Sequence, residues 1–395
     1  MLSGTIPNFA PVATFVINIH GRVQGVGFRP FIYRLAVRNE LKGWVENRTD
    51  GVRIKINAEP DQAVRFVRAI REEKPPASHI VEIISKEASA EDFSDFRILK
   101  SESSGEEITQ VSPDIALCKD CLEDMKTQSH RLDYPFINCT NCGPRFTIIR
   151  DLPYDREKTS MKPFRMCERC RAEYTEILDR RFHAQPVACS LCGPEYKLHC
   201  KKEVISDFDQ IIRTSAELIR EGKILAIKGM GGYFLACDAQ NEKAVDRLRL
   251  AKNRDGKPFA VMFRNMDSLK EFLHVQKPEE DILQSWRRPI LLAKKKKSLA
   301  SGVSVGFSTT GAMLPYMPLH YLLFEKLELP AIVLTSGNIS EEPIIIDDKK
   351  ALEVLGPVTD AVLTYNREIH NRTDDSVSTY VNGRERLLRR SRGYV

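Results

Sequence analysis

The residues of this chain that most clearly could do chemistry are eight cysteines between positions 118 and 192. They form four C-x2-C pairs, with 17 residues between the first two pairs and 18 between the last two. Such spacing lets two distant turns offer four thiolates to one tetrahedral ion. We therefore predict two structural zinc ions, with the ligands Cys118, Cys121, Cys139, Cys142, Cys167, Cys170, Cys189 and Cys192.

The two cysteine modules are copies of one another, because CTNCGP at residues 139–144 returns as CSLCGP at residues 189–194. Four thiolates leave no open position for water, which favours structural over catalytic zinc. Redox use of the C-x2-C pairs is the other alternative. His183, His199 and Cys200 lie close enough in sequence to join a site, although such residues are more often simply packed or exposed.

The composition limits the remaining possibilities. A chain of 395 residues with 42% hydrophobic content can form two or three domains. Its net charge of +6 is mild and does not indicate a nucleic-acid partner. The apolar stretch at residues 12–19 is interrupted by Thr14 and Asn18, and no run of about 18 apolar residues follows. We expect a cytoplasmic protein with reduced thiols and no membrane partner.

Residues 14–100 have the pattern of a compact α+β domain. Period-two alternation predicts strands, helical spacing predicts two helices, and Thr49-Asp50-Gly51 is typical of a hairpin turn. The expected order is βαββαβ, with strands near residues 15–19, 43–47, 52–56, 79–85 and 96–99 and helices near 30–39 and 61–73. A polar linker is expected at residues 101–107.

A glycine-rich loop at residues 21–27 lies between the first strand and the first helix of this domain. Successive N–H groups at a helix N-terminus can surround an anion, and Arg29 can bind its oxygens with two donors. Asn47 on the next strand strengthens this interpretation. The alternative is a degenerate module that is used only for packing.

Residues 23–29, VQGVGFR, match the acylphosphatase motif V-x-G-V-x-F-R, and residues 14–100 resemble that family. The resemblance implies a ferredoxin-like fold and acyl phosphate hydrolysis, in which Asn47 positions the attacking water and Arg29 binds the phosphate. The phosphate-binding loop would then consist of Gln24, Gly25, Val26, Gly27 and Phe28.

The C-terminal part, residues 206–395, has longer α/β segments and a basic cluster of Lys252, Arg254 and Lys257. Such a cluster could neutralise a polyphosphate, although alone it is more typical of solvated surface. Thr335-Ser336-Gly337-Asn338 follows an apolar strand, where ligands of α/β sheets usually bind. The acidic pair Asp374-Asp375 could hold magnesium or lie on an exposed turn.

Together with the basic run at residues 389–392, these features resemble the YrdC domain, which forms an acyl adenylate from ATP. The resemblance implies that Lys252, Arg254 and Lys257 contact the phosphates, and that Thr335, Ser336 and Asn338 line the adenylate pocket. Weaker candidates for the same ATP and carbamoyl-adenylate site are Lys228, Tyr233, Arg367 and Arg389.

The order of these parts, with zinc modules at residues 108–200, resembles the carbamoyltransferases of [NiFe]-hydrogenase maturation. The implied fold class is α+β multidomain: a ferredoxin-like acylphosphatase domain, duplicated tetracysteine modules and a YrdC-like α/β domain. The implied substrates are carbamoyl phosphate and ATP with magnesium, and the implied product is carbamoyl adenylate. Carbamate would pass between two sites and finally reach the C-terminal cysteine of the maturation protein HypE. Family members continue into a sugar-kinase-like domain for that last transfer, which we expect this chain, ending at Val395, to lack.

Two other functions fit part of the sequence. A tRNA-modifying threonylcarbamoyl-adenylate synthase would share residues 206–395 but has no use for an acyl-phosphate loop. A non-enzymatic zinc protein that binds nucleic acid or protein would explain the cysteines but leaves Arg29 and Asn47 without a role.

Overall fold

The computed structural model describes residues 12–99, 110–201, 203–254, 256–338 and 342–395. The linker predicted at residues 101–107 lies outside these ranges. The fold class expected from the sequence is confirmed: two α/β bodies flank a segment that holds the cysteine modules.

The N-terminal domain is a five-stranded sheet with two helices, and its strand order is β4-β1-β3-β2-β5. Its elements are β1 (Ala13–Arg22), α1 (Phe28–Arg38), β2 (Lys42–Arg48), β3 (Gly51–Ala58), α2 (Pro60–Glu73), β4 (His79–Ala88) and β5 (Phe96–Ile98). Alternate residues of β1 and β3, such as Ile17, Ile54 and Ile56, are fully buried. They pack with Phe66 and Ile70 of α2, so one face of the sheet is covered by helices.

The cysteine modules contain two short helices, α3 (Lys119–Thr127) and α4 (Glu168–Thr175). Cys118 and Cys167 are the N-cap residues of these helices. A 3₁₀ turn at Arg156–Lys158 lies between the modules.

Two buried arginines exchange equivalent contacts between the modules. Arg131 of the first module donates to the carbonyl of Ala188 at 3.1 Å and to Glu173 at 2.7 Å. Arg181 of the second donates to the carbonyl of Asn138 at 3.2 Å and to Asp124 at 2.5 Å. This reciprocity is what a two-fold relation between copies produces, so the duplicated modules pack as one body.

The C-terminal domain is built on a 12-stranded sheet with the order β17-β16-β12-β13-β10-β14-β9-β8-β15-β6-β7, and β11 pairs with β12. The strands are β6 (Tyr196–Cys200), β7 (Glu203–Ile205), β8 (Leu225–Lys228), β9 (Tyr233–Asp238), β10 (Ala260–Phe263), β11 (Leu273–His274), β12 (Ile290–Lys295), β13 (Thr309–Met313), β14 (Ala331–Ser336), β15 (Ala361–Tyr365), β16 (Val377–Val381) and β17 (Arg384–Arg389). The helices are α5 (Phe208–Arg220), α6 (Glu242–Ala251), α7 (Met266–Phe272), α8 (Lys277–Gln284), α9 (Pro318–Leu327) and α10 (Asp348–Val354).

The cysteine modules contact both flanking domains through hydrogen bonds. Tyr154 N–H donates to Gln24 Oε1 of the N-terminal domain at 3.2 Å. On the other side, Leu117 N–H donates to the carbonyl of Tyr316 at 2.9 Å. Phe136 stacks on Tyr196 with ring centroids 4.8 Å apart. The modules therefore join the N-terminal domain to the C-terminal domain.

Among the described residues, no helix is long and apolar enough to span a membrane.

Candidate active sites and metal centres

The structure brings the eight predicted cysteines together as two groups of four, and within each group all sulfur atoms lie within 4.8 Å of one another. The Sγ atoms of Cys118 and Cys139 are 3.7 Å apart, and those of Cys139 and Cys142 are 3.8 Å apart. A tetrahedral zinc with bonds of about 2.3 Å requires sulfur atoms about 3.8 Å apart, whereas a disulfide requires about 2.05 Å.

The second group repeats this geometry. Cys189 Sγ lies 3.7 Å from Cys167 Sγ and 3.8 Å from Cys192 Sγ. N–H groups also donate to sulfur, as they do around zinc-bound thiolates: Arg131 Nη2 lies 3.4 Å from Cys170 Sγ, and Cys121 N lies 3.4 Å from Cys118 Sγ. Both donor sets therefore fit tetrahedral zinc, and neither sulfur spacing fits a disulfide.

The predicted phosphate loop lines a small cavity of about 30 Å³, which we call the loop cavity. Gly25 and Gly27 have φ of 69° and 73°, a left-handed conformation that favours glycine. Gly27 is also the N-cap of α1, so the N–H groups that follow it start a helix beside the cavity. Arg29, only 7% exposed, lies in the first turn of α1 and contacts Asp155 Oδ1 at 3.2 Å.

Asn47, near the end of β2, lines the same cavity and is 2% exposed. Its Oδ1 atom is buried and has no hydrogen-bond partner in the described structure. A buried amide oxygen without a partner is unfavourable unless a water or ligand completes it. The site therefore combines the guanidinium of Arg29, the N–H groups at the start of α1 and the acceptor Oδ1 of Asn47. These groups surround a space the size of a small molecule.

Part of the cavity wall is made by the segment that holds the cysteine modules, and the sequence did not predict this contribution. The residues of that segment in the wall are Thr140, Arg145, Tyr154, His183, Ala184 and Gln185. Arg145 is buried, donates through Nε to the carbonyl of Gly25, and donates through Nη2 to the carbonyl of Cys139 at 3.1 Å. No local pattern marks these residues, because their role arises only when the domains dock.

A second, larger cavity of about 680 Å³ lies at the C-terminal sheet, and we call it the sheet cavity. It gathers most of the predicted nucleotide-site residues, namely Lys252, Arg254, Lys257, Thr335, Ser336, Asn338 and Arg389. Apolar side chains such as Phe259, Leu334 and Ile344 complete the wall. A volume in this range with few convergent polar groups is typical of cofactor-sized ligands.

Lys252 is the most buried cation of the sheet cavity. Its Nζ donates to the carbonyls of Ser336 at 2.5 Å and Asn338 at 2.9 Å, which ties α6 to the end of β14. The pKa of Lys252 is lowered to about 8, first by burial and then by the charge of Arg254, while Asp374 acts in the opposite direction. Arg254 donates to Thr335 Oγ1 at 3.1 Å. Lys252 and Arg254 are thus fixed by carbonyl and hydroxyl acceptors, whereas Arg389 pairs with the carboxylate of Asp374.

Three other predicted residues do not line the sheet cavity. Lys228 pairs with Asp348 at 2.6 Å and donates to the carbonyl of Tyr365 at 2.8 Å. The hydroxyl of Tyr233 donates to the same carboxylate at 2.6 Å. Arg367 lies over the ring of Tyr365 at 5.4 Å, at the junction with the cysteine modules. These three side chains contact other residues of the same domain, namely Asp348 and Tyr365, as side chains with a packing role do.

The acidic pair is divided between two arginines. Asp375, 1% exposed, is paired with buried Arg392 at 2.7 Å, and Asp374 is paired with Arg389 at 2.5 Å. The sequence left two interpretations of the acidic pair open, a magnesium site and an exposed turn. Because Asp375 is buried, it does not lie on an exposed turn. Asp374 is the more accessible of the two carboxylates at this cavity.

Family models match three parts of the chain. The acylphosphatase model matches residues 15–98, and the HypF finger model matches residues 117–149 and 166–199. The Sua5/YciO/YrdC model, described as telomere recombination, matches residues 217–391. The domain limits 14–100, 108–200 and 206–395 remain predictions.

Whole-chain relatives carry the same parts. Carbamoyltransferase HypF of Rhodobacter capsulatus is 42% identical over 381 residues, which is 96% of this chain and 50% of that protein. The probable carbamoyltransferase HypF of Methanocaldococcus jannaschii is 45% identical over 385 residues, with shares of 96% and 50%. A crystal structure of full-length HypF in the phosphate- and nucleotide-bound form has a TM-score of 0.93 at 48% identity, covering 99% of this chain and 51% of that one.

This chain is a multidomain protein of a defined class. It combines an acylphosphatase domain, paired finger modules and a YrdC-like domain. Nearly the whole of this chain is similar to one half of the HypF carbamoyltransferases. It spans about half the length of the HypF relatives that it matches.

Proposed function

We propose that this chain hydrolyses carbamoyl phosphate in the loop cavity and couples the resulting carbamate to ATP in the sheet cavity, which forms carbamoyl adenylate. The product would serve carbamoylation of the C-terminal cysteine of HypE in hydrogenase maturation, in the cytoplasm. Two zinc ions on the tetracysteine groups would hold the cavity walls in place.

The observation that carries the first step is the buried Asn47 Oδ1 beside Arg29. Arg29 and the N–H groups at the start of α1 would hold the phosphoryl oxygens. Asn47 would accept a hydrogen bond from a water aligned with phosphorus. The water oxygen bonds to phosphorus as the bond to the carbamoyl oxygen breaks, so carbamate, hydrogen phosphate and one proton form. Positioning and charge stabilisation suffice for this reaction.

In the second step, a carbamate oxygen would attack the α-phosphorus of ATP and release pyrophosphate. Lys252, Arg254 and Lys257 would bind the phosphates, while Thr335, Ser336 and Asn338 would line the adenylate pocket. Arg389 joins the same wall. Magnesium bound with ATP would neutralise phosphate charge, and Asp374, a carboxylate of the cavity wall, would contact it. Lys228, Tyr233 and Arg367 would support the site from the neighbouring packing layer.

A third cavity supports transfer of carbamate under cover. It holds about 20 Å³ between the finger modules and the C-terminal domain, and we call it the junction cavity. Pro144 lines it, and the next residue, Arg145, lines the loop cavity. On its other side it is lined by Met230, and the adjacent Gly231 accepts a hydrogen bond from Thr373 N–H of the sheet cavity at 3.0 Å. Carbamate decomposes in bulk water, so such a shielded route would protect it.

The proposed function is tested by measuring pyrophosphate released from ATP by the zinc-loaded chain. We expect release that requires carbamoyl phosphate and that stops in both Arg29→Ala and Lys252→Ala. Phosphate release from carbamoyl phosphate should persist in Lys252→Ala, which also shows that this variant is folded. Pyrophosphate that appears with threonine and bicarbonate but not with carbamoyl phosphate would instead favour the threonylcarbamoyl-adenylate synthase.

A further inference from the structure

His183 of the second finger module lines the loop cavity together with Arg29 and Asn47. Its backbone has φ of 56°, a left-handed conformation that is uncommon for a residue with a side chain and costs about 1 kcal/mol or more. Such a conformation persists only where neighbouring contacts determine it.

Those contacts hold both the backbone and the ring. His183 N–H donates to the carbonyl of Tyr174 at 3.0 Å, and its carbonyl accepts from Gln185 Nε2 at 3.1 Å. The ring stacks on Tyr174 with centroids 5.1 Å apart and meets the edge of Phe182 at 4.4 Å. Within the described residues, the hydrogen bonds of His183 are made by its backbone, and the residue belongs to the wall of the cavity.

The ring is neutral near pH 7. The pKa of His183 is lowered to about 4, first by burial and then by the positive charge of Arg29, while the carboxylate of Asp155 acts in the opposite direction. A neutral imidazole has one nitrogen that donates and one that accepts, whereas an imidazolium has no acceptor. The cavity wall therefore contains a fixed hydrogen-bond acceptor from outside the acylphosphatase domain.

The finger wall can contact the acyl end of a bound substrate. The loop N–H groups and Arg29 are assigned to the phosphate, and the rest of the wall is shared between N-terminal residues such as Phe28 and Pro30 and the finger residues. A carbamoyl group and an acetyl group have nearly the same size and shape, but only the carbamoyl group carries N–H donors. Shape cannot separate them, whereas a hydrogen-bond acceptor can.

We propose that His183 is a specificity-determining residue that accepts a hydrogen bond from the amino group of carbamoyl phosphate and so selects it over acetyl phosphate. The inference rests on the proposed hydrolysis at Arg29 and deepens it, because it assigns recognition of the acyl group to a finger module.

The test compares kcat/KM for carbamoyl and acetyl phosphate hydrolysis in the wild-type chain, His183→Ala, His183→Gln and His199→Ala. We expect His183→Ala to lose about 10- to 100-fold with carbamoyl phosphate. Its activity on acetyl phosphate should stay within about threefold, because the acetyl group forms no such hydrogen bond. His183→Gln, which keeps an acceptor, should recover part of the preference. His199 bonds to Thr364 outside the cavity, so its variant should behave as wild type.

Equal losses of kcat/KM with both substrates would mean that His183 supports the loop cavity in general, and this result would overturn the proposal. An unchanged kcat/KM with both substrates would overturn it as well. If the wild-type chain hydrolyses neither acyl phosphate, the proposed function itself fails. If the wild-type chain hydrolyses carbamoyl phosphate and His183→Ala changes kcat/KM equally for both acyl phosphates, only the specificity proposal fails.

Discussion

Arg29→Ala is expected to lower kcat/KM for carbamoyl phosphate hydrolysis by at least about 10³-fold, as loss of an arginine that stabilises a transferring phosphoryl group does elsewhere. The guanidinium is the cation placed at the start of α1 within the loop cavity. Its two parallel donors match phosphoryl oxygens as no single donor can. The measurement is initial phosphate release across a range of substrate concentrations.

The loss should reflect catalysis rather than folding. Arg29 pairs with Asp155, whose side chain is 35% exposed and stays hydrated when the arginine is removed. Arg29→Lys keeps the charge without the planar fork and should recover only a minor part of the activity. Arg34→Ala, on the same helix but exposed, is the matched control. An Arg29→Ala chain within tenfold of wild type would exclude phosphate binding by this loop.

Cys139→Ser is expected to reduce bound zinc from two ions per chain to one and to lower the melting temperature markedly. Cys139 is fully buried, and its sulfur is within 3.8 Å of Cys142 Sγ. A structural zinc site contributes on the order of 10 kcal/mol to folding of small metal modules, so losing one thiolate removes several kcal/mol. Metal analysis of the purified variant and its thermal unfolding provide the measurement.

The same change should weaken hydrolysis at the loop cavity. The Cys139 carbonyl accepts from Arg145, which also contacts the Gly25 carbonyl of the phosphate loop. Loosening this turn would therefore displace a wall of the cavity. Cys200→Ser, a half-buried cysteine outside both groups, is the control and should keep two ions. Two zinc ions bound to Cys139→Ser would contradict the assignment of its thiolate as a ligand.

Local sequence signals predicted the N-terminal fold and the cysteine groups well. Alternation along β3 gave its buried face, and Thr49 and Asp50 form the turn between β2 and β3. The spacing of the C-x2-C pairs predicted which four sulfurs meet, because a tetrahedral ligand set restricts the arrangement strongly. These features depend on residues close in sequence or on a repeated motif.

Features made by docking of distant segments were not predictable in this way. The YrdC resemblance makes Lys228 a weaker candidate for the ATP site, yet its partner in the structure is Asp348 in α10. His183 and Arg145 reach the loop cavity from the finger modules, and no periodicity marks either residue. Strands β6 and β7 directly follow the second cysteine module but pair within the C-terminal sheet. Each case is decided by a long-range contact.

We propose that both steps occur in one chain and that carbamate passes between them under cover. To test this, Arg29→Ala, which keeps the sheet cavity, is mixed with Lys252→Ala, which keeps the loop cavity, and pyrophosphate release is measured with carbamoyl phosphate and ATP. The equimolar mixture should stay far below the wild-type rate, because carbamate made on one chain decomposes before it reaches another. Restoration of the wild-type rate by the mixture would contradict the shielded transfer.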